Sequence, residues 1–430
     1  MASGRIRLTK AWQPVAMLFL LVIPASWSLA QSLDQLAQDY VVLELAMAEH
    51  DPAHVDAYYG PEALREKARA MGWTPLEIAG RAKTLQAQLA RYGTQDTAAR
   101  VAELDRRLTA LMTRVDIYEG QHVPFDEETR RLFAAVAPDY DAAHFSKILE
   151  QIETLLPGEG SLSERVNTFR DRFNVPDERL EAVFSAAMEE CRRRTREHIA
   201  LPEGESFVVE YVQDKPWGGY NWYQGNAASL IQVNVDLPVA IDRAVDLGCH
   251  EGYPGHHTYN ALLERNLVDG RGWLEYSLYP LFSPMSLIAE GSANYGIRLA
   301  FPGDERVQFE REVLFPLAGL DAADADRYYD LQALIAELSY ARNEVARDYL
   351  NGDISREEAV DWLVEYALQS PERADKSLRF IETYRSYVIN YNLGRDLVAD
   401  FVEREGADED TRWRRFIKIL SEPTSAADLK

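Results

Sequence analysis

Apolar residues recur along this chain mostly at intervals of three and four. Leu33, Leu36, Tyr40, Leu43 and Met47 form one such series, the spacing of a single helical face, and Asp51-Pro52 closes it. Val101, Leu104, Leu108, Leu111 and Val115 repeat the pattern beyond Gly93. Thr74-Pro75 reads as a helix start, and Ser161 with Glu164, after Pro157-Gly158, as a capping box. A further helical series, Leu287, Ile288, Ala289, Ile297 and Leu299, follows the start signal Ser283-Pro284. These stripes are core faces, and they predict a mainly α fold. Between Pro202 and Pro238 the texture changes. Phe207 to Val212 and Ser229 to Val235 read as strands on either side of the glycine- and aromatic-rich stretch Trp217 to Gly225. They predict a small antiparallel β-sheet beside the segment that follows, whose edge can hold an extended peptide through main-chain hydrogen bonds.

That segment is Cys249-His250-Glu251-Gly252-Tyr253-Pro254-Gly255-His256-His257. Three histidines and a carboxylate in one run suit a zinc hydrolase, which needs three protein ligands, a fourth position for water and a general base. The spacing does not suit an unbroken helix. Positions i+6 and i+7 lie roughly 9 and 10 Å along a helix axis, whereas two nitrogens on one zinc cannot be much over about 3 Å apart. The helix must bulge, and Tyr253 to Gly255 is where the sequence permits it. Looping out two residues makes His256 the partner of His250, with His257 lining the site; His257 is the alternative ligand. Glu251 is placed to serve as base. Glu290, on the apolar helix after Ser283-Pro284, is a third-ligand candidate, because a carboxylate on a buried face needs a partner to offset its desolvation.

His250-Glu251-x-x-Pro254-Gly255-His256-His257, with Glu290-Gly291 and Tyr295, resembles the family known as domain of unknown function 885, zinc-metallopeptidase-like proteins with HExxPGHH and EGW-type motifs. The resemblance covers most of the mature chain. It implies a large helical metallopeptidase-like fold, similar in architecture to thimet-oligopeptidase and Taq-type carboxypeptidase enzymes. It implies His250, His256 and Glu290 as metal ligands and Glu251 as base. Weaker matches are Phe125 to Thr129, Glu357 to Val360, and Tyr391-x-x-Gly394. Ser292 stands where the family has tryptophan, and Thr258-Tyr259-Asn260 where a Leu-Gln pair is usual; both positions are expected to shape the cleft wall. Tyr384, Tyr387 and Tyr391 share a helical face near Arg385 and Arg395, and Tyr387, Tyr391 or Arg395 is expected at the oxyanion. Asp246 and Asn260, each one helical turn from a ligand, are candidates for orienting an imidazole.

Composition adds an address. Arg5, Arg7 and Lys10, the apolar run Val15 to Ile23 and then Ser28-Leu29-Ala30 read as a signal peptide cleaved after Ala30, so the protein is expected in the periplasm or outside the cell, with no membrane span once the signal is removed. The chain then divides into residues 1–30 (signal), 31–205 (helical) and 206–430 (zinc-binding and catalytic), the last two forming one continuous domain. A formal net charge of −24 disfavours nucleic acid as a partner. Two cysteines, Cys191 and Cys249, exclude a disulfide scaffold but allow one bond. The substrate is expected to be a peptide or a small amide. The competing readings are a zinc hydrolase of a non-peptide amide and a non-catalytic periplasmic metal-binding or scaffold protein; the presence of Glu251 argues against the latter, since a structural zinc site needs no base. No G-x-S-x-G elbow or phosphate-binding loop occurs.

Overall fold

The first apolar stripe folds as the helix Leu33–Ala48, with Leu36, Tyr40, Leu43 and Met47 buried. In this computed structural model Met1, residues 31–94 and residues 97–430 are described; apart from Met1, the expected signal peptide lies outside them. The second stripe is the helix Ala98–Tyr118, which buries Leu104, Leu108, Leu111 and Val115. Thr74 and Ser161 both close capping boxes, with Glu77 and Glu164. Residues Leu33–Lys430 gather into one compact unit in which helix dominates. None of the described helices is long and apolar enough to cross a membrane.

The strands depart from expectation. β1 (Val55–Tyr58) pairs with β5 (Leu278–Pro280), a pairing that no local pattern announced. β2 (Ser206–Val212), β3 (Gly219–Gly225) and β4 (Ala228–Asn234) form a sheet in the order β2-β4-β3. β4 runs parallel to β2 and antiparallel to β3, so the sheet is mixed, and the stretch read as a connection is itself a strand. Asn226 and Ala227, both at positive φ, make the two-residue turn that a β3–β4 hairpin requires. That hairpin places β4 between the other two, and β4 must then align with β2.

The helix Pro284–Ala300 is buried over nearly its whole length and crosses the helix Ile389–Glu403 at two glycines. A methyl group on Gly291 would overlap the backbone of Gly394, and one on Gly394 would lie 2.6 Å from the Leu287 carbonyl oxygen. Only glycine at both positions allows so close a crossing. It sets Glu290 against the residues that lead into the second helix, and so positions the site.

Candidate metal centre and cleft

The chain enters the site through an α-helix, Asp242–Leu247, that widens into a π-helical turn, Gly248–Gly252, and breaks at the extended Tyr253 before restarting as His256–Leu263. The interruption thus begins at Gly248, upstream of the expected Tyr253 to Gly255. Gly255 donates its N–H to the Cys249 carbonyl (3.0 Å), and a methyl on it would overlap the His250 carbonyl oxygen. The turn closes because this residue has no side chain. Cys249 is disulfide-bonded to Cys191, with Cα atoms 5.4 Å apart, which ties the turn to the helix Leu180–His198.

The fold brings His250 and His256 together, ring centroids 4.7 Å apart and perpendicular. Glu290 Oε2 lies 3.1 Å from His250 Nε2 and 3.7 Å from His256 Nε2. The three donor atoms fall within 4.8 Å of one another. A tetrahedral zinc with donors at about 2.0–2.1 Å holds them about 3.3–3.5 Å apart. Glu290 Oε2 is shielded from solvent, and among the described residues it faces these two imidazole nitrogens without a well-aligned hydrogen bond, an arrangement that is costly unless a cation serves it. The residues fit a metal ion.

Around this group, second contacts fix each donor. Tyr387 OH donates to Glu290 Oε1 (2.8 Å). His250 Nδ1 faces Asn294 Oδ1 at 3.1 Å, and Asn294 Nδ2 donates to the Tyr391 carbonyl (3.0 Å). With its amide nitrogen so engaged, Asn294 presents oxygen to the imidazole, which makes Nδ1 the protonated nitrogen and leaves Nε2 as a lone-pair donor. Asn294 lies one helical turn beyond Glu290; that i,i+4 relation is the signal that sequence reading passed over. Replacing Asn294 with alanine is expected to weaken metal affinity 10–100-fold, about 1.4–2.7 kcal/mol, measured by competitive zinc titration.

Without a metal the electrostatics are strongly coupled. Burial opposes protonation of His250, but its contact with Glu290 and the charges of Glu251 and Glu290 outweigh it and push the imidazole up to about 9. Burial would raise the Glu290 carboxyl; the histidine charges and contacts overcome it and hold the group far below the usual carboxylate range. For Glu251 burial prevails over the attraction of the two histidines, and its carboxyl is raised, the direction a general base requires. Glu251 is 4% exposed. Its backbone carbonyl accepts from Asn221 Nδ2 (2.6 Å), and its side chain lies over Gly219, where a methyl would sit 2.7 Å from Glu251 Oε1. The edge strand β3 therefore positions the base and leaves its carboxylate facing a cleft of about 910 Å³.

Several expected placements change. His257 is fully buried and points away from the cleft, with Nδ1 2.8 Å from Ser229 Oγ and Nε2 3.3 Å from Glu205 Oε2. Glu205 also accepts from Tyr253, Arg192 and Arg196. Burial would raise Glu205, but the contacts with His257, Tyr253 and Arg192 bring it down to about 2. Asp246 pairs with Arg243 and Arg306, not with a ligand imidazole. Asn260 lines the cleft but holds no histidine. Ser292 and Thr258 are buried, donating to the carbonyls of Ala289 and Gly252, and do not form the cleft wall.

In the C-terminal region, Tyr391 lines the cleft, its ring 6.4 Å from that of His250. Arg395 also lines it but is paired with Asp396. Arg385 lies outside, bound to the fully buried Glu128, which also accepts from Ser386 and so fixes the turn Arg385–Val388 that carries Tyr387. Asp56 and Arg342 are among the lining residues that were not anticipated. Asp56 on β1 presents a shielded Oδ1 with no hydrogen-bond partner among the described residues. Arg342 stands 5.6 Å from the centre of the Phe380 ring, its Nε shielded and without a hydrogen-bond partner among the described residues.

No family model matches the chain, and no curated protein does. Solved structures do resemble it. A candidate lipoprotein from Colwellia psychrerythraea superposes with a TM-score of 0.53 at 16% identity, over 81% of this chain and 61% of that one. The chain thus spans about three fifths of that protein's length, and the two share a fold. More distant are a candidate lipoprotein of unknown function from Shewanella oneidensis, with a TM-score of 0.42 at 13% identity over 84% and 76% of the two chains, and an M32 carboxypeptidase from Deinococcus radiodurans R1, with a TM-score of 0.39 at 14% identity over 90% and 89%.

Proposed function

We propose that this chain is an exported metal-dependent hydrolase, with zinc as its metal and peptides as its substrates. The observation that carries the reading is the shielded Glu290 Oε2 facing the Nε2 atoms of His250 and His256, with Glu251 beside them at the cleft. Membership of the domain of unknown function 885 family belongs to the same proposal and rests on the His250–His257 and Glu290-Gly291 motifs.

When bound, zinc supplies a Lewis acid and lowers the pKa of water toward about 7. His250, His256 and Glu290 hold it, with Asn294 fixing one imidazole and Tyr387 fixing the carboxylate. Glu251 takes the proton of the attacking water and passes it to the leaving amine. The developing oxyanion is assigned to the Tyr391 hydroxyl, with the Arg342 charge acting on Tyr391 from the same cleft. Arg395, committed to Asp396, has the lesser part. Residues Gly219 to Asn221 of the edge strand β3 line the cleft, and their main chain suits an extended peptide; this favours peptides over smaller amides.

The test is mass-spectrometric digestion of a mixed peptide library by zinc-loaded protein and by protein stripped with a chelator. Cuts made by the loaded form are expected to vanish on stripping and to return with added zinc. A loaded protein that retains one zinc and cuts no peptide would transfer the reading to non-peptide amides.

A further inference from the structure

The cleft carries more positive charge than this chemistry uses. The helix Pro371–Tyr384 turns Arg373, Lys376, Ser377, Phe380 and Tyr384 toward it, a single helical stripe. At about 1.5 Å per residue, Arg373 lies about 16 Å along the axis from Tyr384, the residue that leads into the Tyr387 turn. Lys376 is matched by Asp236 (3.3 Å). Among the described residues no carboxylate lies within ion-pair range of Arg373, and its guanidinium donates to the Pro238 carbonyl (3.0 Å).

Arg170 joins it from the helix Leu162–Asp171. Ser163 Oγ donates to the Gln369 carbonyl (3.0 Å) and Asn167 Nδ2 to the Leu368 carbonyl (3.1 Å). Ser163, Asn167 and Arg170 share a face, so these bonds set Arg170 beside the first turn of the helix that carries Arg373. Both arginines line the cleft. Arg170 Nε is shielded and has no hydrogen-bond partner among the described residues. Burial, followed by the positive charges of Arg170 and Arg243, holds Arg373 below the usual guanidinium value. Of the neighbouring charges, Arg243 is matched by Asp246, Asp242 already accepts from Tyr328 and Gln332, and Asp171, which favours the charged guanidinium from beyond ion-pair range, accepts from Asn174. Two neighbouring guanidiniums without an ion-pair partner among the described residues repel each other and are costly to bury, and a carboxylate between them would offset that with charge-assisted hydrogen bonds.

We propose that Arg170 and Arg373 form an anion subsite, and that the cleft selects peptides that place a carboxylate there, away from the scissile bond. The roughly 16 Å of helix between Arg373 and Tyr384 matches about five extended residues at about 3.3–3.4 Å each, which sets the range over which the carboxylate is moved in the test. The inference rests on the peptidase reading above. The carboxylate can belong to an Asp or Glu side chain or to the peptide C-terminus.

The test is fluorescence anisotropy of labelled eight-residue alanine-based peptides, with a single Glu moved along the sequence, as free acids and as C-terminal amides. The receptor is the zinc-loaded Glu251→Gln protein, which removes turnover, with and without Arg170→Gln and Arg373→Gln. Binding of the best acidic peptide is expected to be at least 10-fold tighter than that of its neutral counterpart. The double replacement should abolish this difference, and Arg373→Lys should retain part of it. Preference that survives amidation assigns the anion to a side chain; preference lost on amidation assigns it to the C-terminus. Equal binding of acidic and neutral peptides, or a preference unchanged in a double variant with parental circular dichroism, overturns the subsite. Arginine-dependent binding without cleavage by the parent would sink the peptidase reading alone, and cleavage without charge preference would sink the subsite alone.

Discussion

Glu251→Gln is expected to lower kcat for a cleaved peptide about 10³-fold while KM and zinc content stay near the parental values. General base catalysis contributes about 10²–10⁴-fold, and 10³ corresponds to about 4 kcal/mol of activation free energy. The replacement keeps the volume of a side chain packed over Gly219, so the site should keep its shape while losing the proton acceptor. Glu251 is not in the group formed by His250, His256 and Glu290, which is why zinc should remain. An interaction that matters only in the transition state lowers kcat and leaves KM alone. Steady-state kinetics with metal analysis on the same sample decide it, and a variant within threefold of the parent would remove Glu251 from the mechanism.

Gly255→Ala is expected to destabilise the fold by about 3 kcal/mol or more, at the upper end of overpacking costs, and to weaken zinc binding with it. The added methyl meets the His250 carbonyl oxygen, a backbone atom that cannot swing aside. Relieving the overlap opens the turn between the two histidines and moves His256 away from His250. Gly80, inside the helix Pro75–Leu89 with nothing within 4 Å of where a methyl would sit, is the matched control, and Gly80→Ala should stabilise by about 0.5–1 kcal/mol. Urea midpoints and zinc titrations on the two variants separate a steric effect at the turn from a general effect of losing a glycine. Equal midpoints would mean that the turn has room the geometry does not show.

The long helices were readable because a buried helical face repeats every three to four residues, and a strand of sequence carries that period by itself. The helix start at Thr74 and the capping box at Ser161 were readable because each signal is complete within four residues. β3 was harder. From Asn221 to Gly225 its residues alternate buried and exposed, but its glycines weaken the strand signal, and the parallel pairing of β2 with β4 depends on where the Asn226-Ala227 turn sends the chain. His256 and His257 are neighbours of the same type, so spacing alone left His257 as an alternative. Their roles are separated by Ser229 and Glu205, which take up both nitrogens of His257.

By itself, then, the sequence determined a helical protein with a histidine-rich turn that cannot be regular helix, since periodicity, caps and ligand spacing are local properties of the chain. The meeting of Glu290 with the two histidines, the hold of Asn294 and Tyr387 on those donors, and the pairing of Arg170 with Arg373 were decided only in three dimensions. Each depends on which helix faces pack together, and that is settled by close approaches such as Gly291 on Gly394, where removing a side chain, rather than supplying one, sets the distance between residues far apart in the chain.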